Sequence, residues 1–165
     1  MVEINQFQSP IGLLTLAGLK EGVVRISSEN VSLEELAKWC QKNLGMGITE
    51  GTHFITKPKS QILNYLSSRT KSLDFPVVHI NSPFRKKVLE AQRKIPYGHT
   101  RSYREVAKMA GHPKAIRAAG SANANNPLPL YFPCHRVINS NGQLGGFGWG
   151  IDVKQYLLGL ESKYL

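Results

Sequence analysis

Three prolines fall within seven residues, at positions 127, 129 and 133, in the stretch Pro127-Leu128-Pro129-Leu130-Tyr131-Phe132-Pro133-Cys134-His135-Arg136-Val137. Each fixes φ and lacks a backbone N–H, so no regular helix can pass through here, and the backbone around residue 134 has little freedom. The last proline leads directly into Cys134, one of only two cysteines in 165 residues. A packing cysteine needs no such setting. The thiolate is the reactive form of cysteine, and neighbouring His or Arg favours it; Cys134 is followed by both. Side chains at i and i+1 point in different directions. His135 therefore needs a bridging water or a bent backbone to take the thiol proton, and a third group to orient its ring.

The other cysteine has a different context. Ser32-Leu33-Glu34-Glu35 forms a capping box, and Gly45 supplies the stop for a helix ending at Leu44. Cys40 lies on the apolar stripe Leu33, Leu36, Ala37, Cys40, Leu44, which makes it a packing residue. Ahead of this helix, Gly12–Gly18 and Val23–Ser27 are β-prone and joined across residues 19–22, as in a hairpin. A second helix is predicted over about Ser60 to Ser68, and residues 73–81 read as a crossover. At Ser82-Pro83 a Ser N-cap and a first-position Pro open a helix that ends before Pro96. The domain boundary is placed near 75–82, giving an N-terminal α/β domain over 1–78 and a C-terminal domain over 79–165.

Charge divides at the same place. Residues 1–81 hold eight basic and seven acidic side chains; residues 82–165 hold thirteen and four, a net of +9 out of the chain's +10. Such a field attracts polyanions, nucleic acid first among them, although a basic surface also serves solubility alone. No run approaches the length of a membrane span. The apolar piece Ile11 to Leu19 follows Glu3 and Pro10 with no basic leader and reads as a strand, so a cytoplasmic protein is expected. There is no C-x-x-C motif, and the five histidines lack metal-ligand spacing, so no metal is expected.

In the basic half, Ser102-Tyr103-Arg104-Glu105 is a second capping box, opening a helix that Gly111 ends. Pro113 is read as opening another, through Ala122. Two short helices around a Gly-containing turn fit a helix-turn-helix or an ordinary helical hairpin. The second helix offers Arg117 amid Ala115, Ala118, Ala119, Gly120 and Ala122. Small side chains allow a close approach, suited to a narrow groove entered by one long cation with little sequence specificity.

Pro133-Cys134-His135-Arg136-Val137 resembles the active-site signature of the O6-alkylguanine-DNA alkyltransferases. Tyr97-Gly98, Ser102-Tyr103, Gly111-His112-Pro113-Lys114-Ala115, Arg117-Ala118, Asn126-Pro127 and Leu157-Leu158-x-x-Glu161 follow in family order and spacing over about residues 82–162. The resemblance implies an α/β (α+β) fold. Its N-terminal part would be ribonuclease-H-like, a three-stranded antiparallel sheet with helices; its C-terminal part would be mainly helical, with a helix-turn-helix. It implies direct-reversal repair: Cys134 takes the alkyl group from O6 of guanine, and more weakly from O4 of thymine, in flipped-out nucleotides of double-stranded DNA, once per molecule. His135 would act as general base through a water, with Glu161 fixing the imidazole. Asn126 would brace the loop, and Tyr103 would donate to the leaving guanine. The main-chain carbonyls of Cys134 and Val137 would accept from its amino group. Arg117 would fill the gap left by the flipped base, with Ala118, Ala119 and Gly120 in the minor groove. Tyr103, Arg104, His112 and Ser140 would complete the DNA face. No cofactor is implied, and a monomer is expected.

The chain departs from the family pattern in the loop that lines the alkyl pocket, with Val137, Phe147, Gly148 and Trp149. Gly148 stands where some members have serine, and Trp149 where several have glycine. A bulky indole at the pocket mouth predicts methyl transfer over transfer of benzyl-sized groups. The N-terminal cysteines with which some relatives bind zinc are absent here. Two other classes fit parts of the pattern: a non-catalytic lesion-binding helix-turn-helix protein, and a cysteine hydrolase. The first has no use for Cys134-His135; the second has no use for the +9 half.

Overall fold

The computed structural model describes residues 1–165. It divides into two compact units, Met1–Ile80 and Asn81–Leu165.

The first unit contains β1 (Val2–Ser9), β2 (Gly12–Leu19), β3 (Gly22–Ser28), α1 (Leu33–Leu44), β4 (Ile48–Glu50) and α2 (Thr56–Leu66). The sheet order is β3-β2-β1-β4. β1–β2 and β2–β3 are antiparallel, whereas β4 joins β1 in parallel. The three-stranded antiparallel sheet expected from the sequence is therefore a four-stranded mixed one. β4 has only three residues and shows no alternation to read. β1 is also hidden in the sequence, because its apolar residues change faces: Val2 and Ile4 pack with Leu36 and Cys40, while Phe7 has the opposite parity. Phe7 pairs with Leu14, and Lys59 of α2 lies over its ring, 5.3 Å from the centroid. At Gly18 a Cβ would lie 2.7 Å from the Ile55 Cγ2 atom. One face of the sheet thus carries α1 and the other α2.

α1 follows its sequence signals. Ser32 Oγ accepts from Glu35 N at 3.1 Å, and Glu35 Oε2 accepts from Ser32 N at 2.8 Å. Gly45 closes the helix in the left-handed region (φ 66°). Cys40 is fully buried among Val2, Ile4, Ala17, Val24 and Leu36. α2 begins four residues before the predicted start. Pro58 is its third residue, where a missing N–H costs no intrahelical bond.

The second unit contains α3 (Pro83–Arg93), β5 (Arg101–Ser102), α4 (Tyr103–Met109), α5 (Ile116–Ala124), a 3₁₀ turn (Cys134–Arg136), β6 (Val137–Ile138) and α6 (Ile151–Lys163). Ser82 caps α3, and Ser102 with Glu105 forms the capping box of α4. Pro113 does not open α5. Residues 112–115 form a turn, with Ala115 N donating to His112 O at 2.9 Å, and the helix starts at Ile116. α3, α4, α5 and β6 share one core of Val88, Ala91, Ile95, Val106, Ala107, Ala119, Ala122 and Val137. The two-residue strands β5 and β6 pair in parallel, Arg101 with Val137 and Ser102 with Ile138. That pairing brings two segments together: Tyr103 directly follows β5, and the Cys134–Arg136 turn directly precedes β6.

Candidate active site

The proline-rich segment is a stiff loop tied at several points. Asn126 Nδ2 donates to Phe132 O at 2.9 Å, and Leu128 N donates to Asn126 Oδ1 at 2.9 Å. Arg93 of α3 donates to Tyr131 O at 3.0 Å, and its guanidinium stacks 3.7 Å from the centre of the Tyr131 ring. Leu130 sits at φ 74°, a conformation that costs a leucine about 1–2 kcal/mol. Its side chain is buried along with Leu128 and Phe132, and that burial offsets the strain. The loop ends at Cys134, whose N–H donates to Phe132 O at 2.7 Å. Cys134 O accepts from Val137 N and, at 3.5 Å, from Asn123 Nδ2.

Cys134 is buried, and burial pushes its thiol up to about 11; hydrogen bonding by the Asn126 side chain and the charge of Lys154 pull in the opposite direction. At rest the group is a thiol, and it needs a base.

The candidate base is the next residue. His135 is completely buried and meets Glu161 of α6 through Nε2···Oε2 at 2.6 Å. Arg136 grips the same carboxylate with both prongs, Nε to Oε1 at 2.8 Å and Nη2 to Oε2 at 2.9 Å, and donates through Nη1 to Ile95 O at 2.8 Å. Gly98 N adds a further bond to Oε1 at 3.0 Å. Burial raises the Glu161 carboxyl, but the bonds from His135 and Arg136 outweigh it and hold it below the usual carboxylate range. Burial lowers His135 against the pull of Glu161, and the Arg136 and Lys154 charges lower it further, so the imidazole is neutral near pH 7. An ionised Glu161 can only accept, so Nε2 carries the ring hydrogen and Nδ1 is the basic position.

Two of these groups were not picked out as site residues from the sequence. Arg136 was read as a neighbour favouring the thiolate; it is committed to Glu161 instead. Lys154 was passed over, yet it is fully buried. Its ammonium donates to Val137 O at 2.6 Å, to Gly146 O at 3.2 Å and to Leu144 O. It ties the strand after Cys134 to the glycine-rich loop. A signal for it exists in the sequence: Lys154, Leu157, Leu158 and Glu161 stand at i, i+3, i+4 and i+7, so two charges occupy one helical stripe with two leucines.

Tyr103, the first residue of α4, is half-buried against the core. Burial raises its phenol, and the nearby Cys134 sulfur raises it further, so it remains a donor at neutral pH. Its ring fits where side chains are missing: a Cβ at Gly145 would lie 3.5 Å from it and one at Gly120 4.0 Å. Arg104, His112, Arg117, Ala118 and Ser140 are exposed and Gly120 is half-buried. Ala119 is the correction among the groove-facing residues: it is fully buried in the core, because α5 turns that side toward α3 and α4. Phe147 and Trp149 are half-buried and meet edge-on, with ring centroids 6.1 Å apart. Gly148 between them is exposed, with open space where a Cβ would go.

A buried thiol, a neutral imidazole beside it in sequence and a carboxylate held by an arginine are the parts of a cysteine-nucleophile site. Residues 83–163 match the DNA-binding domain of the 6-O-methylguanine DNA methyltransferases. A methylated-DNA–protein-cysteine methyltransferase of Methanosarcina acetivorans is 40% identical over 158 residues, covering 94% of this chain and 96% of that protein. The constitutive enzyme of that name from Bacillus subtilis is 35% identical, covering 93% and 92%. Among solved structures, the O6-methylguanine methyltransferase of Mycobacterium tuberculosis superposes with a TM-score of 0.87 at 34% identity, covering all of this chain and 95% of that one. The DNA complex of the M. tuberculosis OGT superposes at 0.86, with 33% identity, covering 99% and 94%. This chain belongs to the methylated-DNA–protein-cysteine methyltransferase family.

Proposed function

We propose that this protein repairs O6-methylguanine in double-stranded DNA by moving the methyl group to Cys134, once per molecule. The observation that carries this reading is the buried His135–Glu161–Arg136 cluster, which begins at the residue after the buried thiol. The Cys134 proton passes through a water to His135 Nδ1, and Glu161 stabilises the imidazolium through Nε2. The sulfur attacks the methyl carbon; the S–C bond forms as the C–O bond breaks, and the electron pair goes to guanine O6. Tyr103 stabilises that leaving anion by donating its phenolic hydrogen, a contribution of general-acid type worth roughly 10²–10⁴-fold. The products are guanine and a thioether. A thiolate is a poor leaving group, so the S–C bond of the thioether persists and each molecule reacts once.

Asn126 holds the loop that presents the sulfur, and Lys154 holds the strand and loop beside it. Val137 O, which also accepts from Lys154, and Cys134 O receive the guanine amino group. Val137, Phe147, Gly148 and Trp149 line the alkyl side. A target base inside a duplex must leave the stack, at a cost of a few kcal/mol. Arg117 is the exposed cation that fills the vacated space, with Ala118 and Gly120 admitting the groove; Arg104, His112 and Ser140 contact the backbone. No helix is long and apolar enough to cross a membrane, and we place the protein in the cytoplasm as a monomer. Cys134→Ala tests the chemistry against simple lesion binding: transfer should vanish while affinity for a lesion duplex stays within a few fold. Transfer that survives the substitution would overturn this assignment.

A further inference from the structure

A second basic surface in the same unit lies outside the set assigned to the lesion. The groove between α3 and α4 encloses about 470 Å³. Lys86, Lys87 and Lys94, all exposed, stand along it with one acid, Glu90; Met109 and Ala110 form part of its α4 wall. From Lys86 to Lys94 the helix rises about 12 Å, several phosphate steps along one DNA strand. The groove lies beside the turn that leads into α5. Met109 and Ala110 lead directly into the turn at residues 111–115, which carries Lys114 and ends at α5. On the other side, Phe84 in the first turn of α3 packs edge-on against His112 of that turn, with centroids 5.2 Å apart. A polyanion lying on Arg117 and Lys114 therefore meets Lys86 and Lys87 next.

We propose that the α3–α4 groove is a second DNA contact, which takes the phosphate backbone of the duplex flanking the lesion. The inference rests on the DNA-repair reading above. Lysines act on phosphate as mobile point charges and carry no base code, so the contact adds affinity without sequence preference.

The test compares the full-length protein with the triple variant Lys86→Ala/Lys87→Ala/Lys94→Ala. Binding is titrated over a range of salt on two undamaged duplexes, a short one covering the α5 contacts alone and a long one extending past both sides. On the long duplex the variant should bind about 10–100-fold more weakly at low salt. Its log K against log[salt] slope should be shallower by about 2–3, since each lost phosphate contact removes about 0.9. On the short duplex the two proteins should agree, and reaction with free O6-methylguanine base should not change. Equal slopes and affinities on the long duplex would overturn the proposal, as would an equal loss on both lengths. Wild-type protein that binds neither duplex would overturn the repair reading as well.

Discussion

Glu161 is buried with three partners, and its ionisation is a term in the stability of the fold. Its folded-state pKa lies below the unfolded value, so the stabilisation is fully present above that unfolded value of about 4.3 and is lost as pH falls below it. Glu161→Gln leaves Arg136 buried without its counter-charge, a change that costs about 3–5 kcal/mol. Thermal melts should show the full difference from wild type at pH 6–7 and a shrinking one below about pH 4. A gap that stays constant down to pH 3 would mean the carboxylate is not held ionised by the fold. In the proposed alkyl pocket the residues to test are Gly148 and Trp149. A Cβ at Gly148 meets open space, so Gly148→Ser should fold normally and speed transfer by adding a donor for guanine O6. Wild type should react with methylated free base but poorly with the benzyl analogue, and Trp149→Gly should restore the benzyl reaction. Equal rates for both bases in wild type would remove Trp149 from the specificity argument.

At the scale of elements, two helices begin with the same device. Ser32 and Ser102 make capping boxes of matching geometry, each hydroxyl accepting at 3.1 Å. Replacing either by Ala should cost about 1 kcal/mol of stability. Only Ser102→Ala should also slow methyl transfer, because Tyr103 is the first residue of the helix it caps; melting temperatures and single-turnover rates on both variants check this. Equal rates would detach α4 from catalysis. The caps show which elements were legible in the sequence. α1, α3 and α4 start where Ser32, Ser82 and Ser102 say, since a cap acts within four residues. β1 was not legible, because its apolar residues serve two faces. β4 is three residues long and depends on its pairing with β1, and α5 starts at Ile116, after a turn, rather than at Pro113 where the sequence reading opens it. In the site, Cys134, His135 and Glu161 could be placed through their resemblance to a known pattern. The bidentate hold of Arg136 and the burial of Lys154 depend on where α6 lies, which no local spacing states. Ala119 was misplaced because alanine suits a core and a groove equally.

At the scale of the molecule, charge separates with the units: the first is near neutral, and the second carries +9. Binding to undamaged duplex should therefore weaken steeply with salt and vary little with sequence. Titrations of unrelated duplexes over a salt series measure this, and a salt-independent affinity would contradict an electrostatic footprint. The same unit holds Cys134, His135 and the exposed cations, so the proposed capture of the polyanion and chemistry on the base would share one scaffold. The central claim is that this scaffold delivers a methyl group to one sulfur. The direct measurement is peptide mapping by mass spectrometry after incubation with a duplex bearing a single O6-methylguanine. One methyl group per chain is expected, on Cys134, with no second turnover in excess substrate. An unmodified Cys134 on a tightly bound lesion duplex, or a methyl group on Cys40, would contradict it.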